Sequence, residues 1–143
     1  MKSRAVAAPE KFSVLVLDDD PAMLETTLAT IDDVHDAFGT TSPSEALEVL
    51  VKRPFHVVVS DWMMPGMDGV TFFRRVALLD RAVACLLVSG RIEELGVTVD
   101  YEERKLFMSL AKPFSREQLL SRIDSLGKLA KMRQSVKKLR SKD

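Results

Sequence analysis

Four apolar runs in this chain each end in a residue that can do chemistry. Residues 12–17 are followed by Asp18, Asp19 and Asp20, and residues 55–60 by Asp61. Residues 82–89 close on Ser89-Gly90, and residues 106–111 on Lys112-Pro113. If the runs are parallel strands, their ends lie along one edge of a sheet, and acids, a hydroxyl and an amine converge there. Carboxylates that close repel one another, and a divalent cation relieves the repulsion. Oxygen ligands from one or two carboxylates, completed by water and phosphate, suit Mg²⁺. A carboxylate held beside a metal and a lysine can attack phosphorus and become an aspartyl phosphate. Asp20 precedes Pro21 and reads instead as a helix cap.

The elements that would position these groups can be read from the pattern. The four runs, and a weaker one at residues 34–40, are continuous rather than alternating, as expected of strands covered on both faces. Helical patterns fall between them. One begins at Pro21, one covers residues 44–52, and one covers residues 69–79 with Val70, Phe73, Val76 and Ala77 on one side. Ser115 and Gln118 form a capping box for a last helix. In residues 91–104 the Gly96, Val97 and Val99 positions make a poor helix, and only residues 100–106 carry a helical signal. Strands alternating with helices predict a five-stranded parallel sheet of flavodoxin-like order 2-1-3-4-5, with helices on both faces. Such sheets bind ligands beyond the carboxyl ends of their strands.

In that order and at spacings of 42 to 43, 28 and 23 residues, the motifs Asp18-Asp19, "DWMMPGMDG", Ser89-Gly90 and Lys112-Pro113-Phe114 resemble the receiver domain of two-component response regulators. The resemblance covers roughly residues 12–126. It implies that Asp61 is the phosphoacceptor and that Asp18 and Asp19 bind Mg²⁺ directly or through water. It also implies that Met63 lends its backbone carbonyl to the metal, that Ser89 hydrogen-bonds a phosphoryl oxygen and that Lys112 pairs with another. The phosphoryl donor would be a histidine kinase or a histidine phosphotransfer protein, and no separate output enzyme is visible. One position departs from the family. Receivers usually carry Tyr or Phe three residues before the lysine, where the ring reports phosphorylation, and this chain has Ser109 there. Phe107 falls on the same side of the strand. That departure keeps open a pseudo-receiver that binds proteins without being phosphorylated. A receiver fragment of a larger response regulator or hybrid kinase is a further alternative.

Composition sets the remaining bounds. The chain has 143 residues, 46% hydrophobic and 29% charged, ordinary for one globular domain. No apolar run approaches the ~20 residues of a membrane span, and the lone Cys85 fits a reduced, cytoplasmic setting. The net charge of zero divides unevenly. Residues 1–113 carry 12 Lys and Arg against 18 Asp and Glu, and residues 114–143 carry 9 against 3. The domain reading is an arm at residues 1–11, a receiver at 12–127 and a basic helical extension at 128–143. In that extension Leu129, Met132, Val136 and Leu139 follow a 3-4-3 spacing, a short seam that could serve a homodimer or a linker. Nucleic-acid binding is not favoured, because the tail lacks a helix-turn-helix pattern. His35 and His56 have no neighbours at metal-ligand spacing.

Overall fold

The apolar runs become strands because β-branched and aliphatic side chains pack on both faces of a pleated sheet. The computed structural model describes residues 10–141, so most of the expected N-terminal arm lies outside the described residues. The strands are β1 (Ser13–Leu17), β2 (Asp36–Thr40), β3 (Val57–Asp61), β4 (Ala84–Ser89) and β5 (Met108–Ala111). All pair in parallel in the order β2-β1-β3-β4-β5, as the sequence predicts. The ladders begin one or two residues inside the apolar runs. Ala82 and Val83 are buried but belong to a turn, in which the Asp80 carboxylate accepts from the Ala82 N–H at 2.9 Å.

Alternation assigns the two faces. Leu15, Leu17, Val58, Cys85 and Leu87 point to the side covered by α2 (Pro43–Lys52) and α3 (Gly69–Leu79). Val14, Val16, Val57, Val59 and Leu86 point to the side covered by α1 (Pro21–Asp32) and α6 (Arg116–Ser141). Each long helix starts with a side-chain cap. Asp20 accepts from Ala22 and Met23 ahead of α1, and Asp68 accepts from Thr71 at the start of α3. Ser115 and Gln118 exchange bonds at the start of α6. Helix α2 begins at Pro43, one residue earlier than expected. Proline's fixed φ suits a first helical position, which leaves Ser42 as the cap.

Residues 92–104 form three short pieces rather than one helix: a 3₁₀ turn at Ile92–Glu94, α4 (Leu95–Thr98) and α5 (Tyr101–Arg104). Gly96 and the β-branched Val97, Thr98 and Val99 weaken propagation, and four-residue helices do not stand alone in water. Tertiary contacts and one local cap hold them. Leu95 and Val99 are buried in the α2/α3-side core, Asp100 and Glu103 form a capping box, and Arg74 of α3 reaches Glu103 at 3.1 Å. Residues 100–106, expected to be helical throughout, yield only the single turn α5, because Lys105 and Leu106 already turn toward β5.

Helix α6 runs 26 residues without interruption. Leu119, Ile123, Leu126 and Ala130 are fully or almost fully buried against the sheet, and Leu129 packs beside them. At Gly127 an added Cβ would lie 2.4–2.5 Å from the Phe12 ring, so the absent side chain makes room for that ring. Farther along, Arg133 donates to the Val83 carbonyl at 3.4 Å and Lys137 pairs with Asp80 at 3.3 Å.

Candidate functional site

Register explains how distant residues meet. One row of paired residues crosses the sheet as Thr40, Leu17, Ser60, Leu87 and Ser109. Asp18 and Asp61 each lie one residue beyond that row, Ser89 two and Lys112 three. The sheet edge is therefore stepped, and the longer Lys112 side chain reaches back across it. Its Nζ donates to Asp61 Oδ1 at 3.0 Å, and the two side chains are only 25% and 16% exposed. A partly buried, charge-assisted contact of this kind is held far better than a surface ion pair.

Carboxylate oxygens of Asp18, Asp19 and Asp61 all lie within 4.8 Å of one another. Asp18 is buried, Asp61 half-buried and Asp19 exposed. Three acids face one ammonium, so the cluster is left with excess negative charge. Burial raises the pKa of Asp18, and the Asp61 and Asp19 charges push the same way. The Asp20 N–H, which donates to Asp18 Oδ1 at 2.9 Å, and the Lys112 charge oppose the rise. Oxygen-only donors with uncompensated negative charge are what a hard divalent cation requires, so the residues present fit Mg²⁺.

Ser89 is buried, and its Oγ accepts from the Arg91 N–H at 2.9 Å. That bond occupies a lone pair and leaves the hydroxyl proton able to donate. The Lys112 N–H donates to the Ser89 carbonyl at 2.9 Å, which ties the ends of β4 and β5 together. The loop after Asp61 is shaped by Gly66 at φ +84° and by Asp68. Met63 is 53% exposed, and its side chain takes no part in the core. Trp62 does the opposite and is buried in the α2/α3-side core, where Met64 and Met67 pack against it.

The structure thus brings Asp18, Asp19, Asp61 and Lys112 together, with Ser89 on the same edge. Sequence reasoning missed the close approach at Gly69. The Gly69 N–H donates to the Trp62 carbonyl at 2.8 Å, and a Cβ there would lie 2.5 Å from the Asp61 carbonyl oxygen. A glycine at the first position of a helix, where it is a poor former, was the available signal. At the departing position, Ser109 shares a row with Leu87 and so faces the α2/α3 side. The Phe107 ring packs on Phe73 with centroids 5.7 Å apart and is a core residue.

The family model of the response regulator receiver domain matches residues 14–124. This chain belongs to that family. The receiver is 31% identical over 115 residues to the C4-dicarboxylate transport transcriptional regulatory protein DctD of Rhizobium meliloti. The match covers 80% of this chain and 24% of DctD. It is 30% identical over 118 residues to the transcriptional regulatory protein FixJ of Bradyrhizobium diazoefficiens, covering 80% of this chain and 56% of FixJ. The receiver therefore spans about a quarter to a half of these relatives. In fold it resembles the crystal structure of an adenylate cyclase from Rhodopirellula baltica, with a TM-score of 0.84 at 24% identity. That similarity covers 94% of this chain and 100% of the other. Among the described residues no helix is long and apolar enough to cross a membrane.

Proposed function

We propose that this receiver accepts a phosphoryl group on Asp61 from a histidine kinase or a histidine phosphotransfer protein. The observation that carries the reading is the 3.0 Å contact between Lys112 Nζ and Asp61 Oδ1 beside the Asp18–Asp19 pair. An Asp61 carboxylate oxygen attacks the phosphorus of the donor phosphohistidine. A P–O bond forms as the P–N bond breaks, and the imidazole leaves with the bonding pair and takes up a proton from water. Lys112 orients the carboxylate before attack and balances phosphoryl charge afterwards, and the Ser89 hydroxyl donates to a phosphoryl oxygen. Asp18 and Asp19, with the Met63 carbonyl, would hold Mg²⁺, which supplies charge neutralisation at the transferring group. The acyl phosphate carries roughly −2 charge where the carboxylate carried −1, and it adds strong acceptor oxygens, which draw Ser89 and Lys112 toward it and bias a protein-interaction surface.

The setting proposed is cytoplasmic, with residues 12–127 as the receiver and residues 128–143 as its basic extension. The low coverage of DctD and FixJ supports reading the chain as the receiver of a longer regulator. Ser109 supports a second reading, a phosphorylation-independent binding module, because the ring that reports phosphorylation in most receivers is missing. Intact-mass measurement after incubation with acetyl phosphate and Mg²⁺ separates the two. Phosphoacceptor function predicts one phosphoryl adduct that requires Mg²⁺. A chain that stays unmodified at saturating donor is a binding module.

A further inference from the structure

The pole opposite Asp61, at the start of β4, holds a groove of about 950 Å³. The end of α3, the α3–β4 turn, the segment from α5 toward β5 and the C-terminal turns of α6 form its walls. Phe73 and Cys85, both buried, lie at its base. Leu78, Leu79, Met132 and Val136 line it and remain 87%, 47%, 60% and 45% exposed. Single exposed apolar residues are ordinary, but these four share one concave surface.

Its charge is one-sided. Arg81, Lys105, Arg133, Lys137 and Arg140 line the groove against Asp80 and Glu102. Lys137 already engages Asp80 at 3.3 Å, and Lys105 engages Glu102 at 3.3 Å. The charges of Arg81, Arg133 and Arg140 are left in excess around an apolar floor. We propose that this groove docks an acidic amphipathic helix of a partner protein.

The shape and charge together select that occupant. An amphipathic helix lays its apolar face into a groove through residues at i, i+3, i+4 and i+7, and acidic flanks would meet the three arginines. Two-fold pairing of this face with a second copy would bring six such arginines together, a like-charge juxtaposition that opposes it. A bilayer surface is too broad to enter the concavity. The Leu129–Leu139 seam supports the same choice, because Leu129 packs against the sheet-side core and only Met132, Val136 and Leu139 stay outward. The proposal does not depend on Asp61.

The test uses the full chain, ¹⁵N-labelled, titrated with a panel of synthetic helices carrying Leu or Met at i, i+3, i+4 and i+7 and Glu on the flanks. A matched panel carries Lys in place of Glu. Expected are amide shifts at residues 77–83 and 132–140 with acidic peptides alone, and weaker binding as salt rises. Val136→Glu and Arg140→Glu, both at exposed positions, should each weaken binding by about tenfold, the effect of losing an interface anchor, with the remaining spectrum unchanged. The proposal is overturned if no acidic peptide shifts these amides, or if the lysine panel binds equally well. It is equally overturned if the same amides respond only to phosphatidylserine vesicles or only to rising protein concentration.

Discussion

Gly69→Ala tests how the acceptor is held in place. Gly69 is the first residue of α3 and does not have a positive φ, so alanine changes only the space occupied. The new Cβ would lie 2.5 Å from the Asp61 carbonyl oxygen, 2.7 Å from Leu87 Cδ1 and 3.2 Å from Trp62 Cα, where ordinary contact begins at 3.4 Å. The oxygen belongs to strand backbone and cannot rotate aside, and Leu87 is fully buried. The helix start must therefore move off the strand by about 1 Å, which breaks the bond from Gly69 N–H to the Trp62 carbonyl. Overpacking of this kind costs about 1–3 kcal/mol, and alanine's better helix propensity returns at most ~1 kcal/mol. The net loss is about 1–2 kcal/mol, a fall in Tm of roughly 3–8 °C for a domain of this size. The loop between Asp61 and Gly69 moves with the helix start, and a misplacement of that size beside a reacting group can slow its chemistry by up to ~10²-fold. Circular dichroism melting gives the first quantity, and the rate of modification by acetyl phosphate gives the second. Gly90→Ala is the control, because a Cβ there meets nothing within 4 Å. A Gly69→Ala protein that melts and reacts like the parent would refute the close-approach argument.

The electrostatics and the core give further outcomes. Burial raises the folded pKa of Asp18, so its contribution to stability is present below its ordinary pKa of 3.8 and is lost as pH rises through the folded value. Asp18→Asn should therefore raise the urea midpoint of the metal-free protein at pH 7, and the gain should vanish near pH 3.8. His35 and His56 behave in the opposite sense. Burial lowers both pKa values, and each Nδ1 accepts a backbone N–H, from Phe12 and Ser13 respectively. Their contribution is present above 6.5 and is lost as pH falls through the folded values. The urea midpoint should drop from pH 7 to pH 5, and a His35→Asn variant should show a shallower drop. Phe107→Ala should cost about 2 kcal/mol by removing a half-buried ring from the core. Its phosphorylation yield should match the parent's, as expected of a ring packed on Phe73.

Much of the fold was legible because its strands are buried on both faces and read as unbroken apolar runs. Strand β2 was the weakest of the five signals for a physical reason. It is an edge strand with Asp36 exposed and with Gly39 placed where a Cβ would meet the Leu24 and Leu28 side chains. Residues 92–104 were least legible, since Leu95, Val99 and the Arg74–Glu103 pair decide their shape and no local pattern encodes those contacts. At the site, the order and spacing of Asp18, Asp19, Asp61 and Lys112 were readable because parallel strands end on one edge. The burial of Trp62 was not readable, and the glycine at the start of α3 flags a position without showing what it approaches, because both depend on how the loop after β3 folds back onto the core. The α6 groove was hidden too. It arises only where the helix passes the end of α3, two elements about fifty residues apart in sequence.

Phosphoacceptor function requires one bond, between an oxygen of Asp61 and phosphorus. Borohydride reduces an aspartyl phosphate to homoserine, so it marks the modified residue permanently. The protein is incubated with acetyl phosphate and Mg²⁺, reduced and mapped by peptide mass spectrometry. Homoserine should appear at position 61 alone, and none should form in Asp61→Asn. Homoserine at Asp18 or Asp19, or a phosphoryl adduct that survives in Asp61→Asn, would contradict the account.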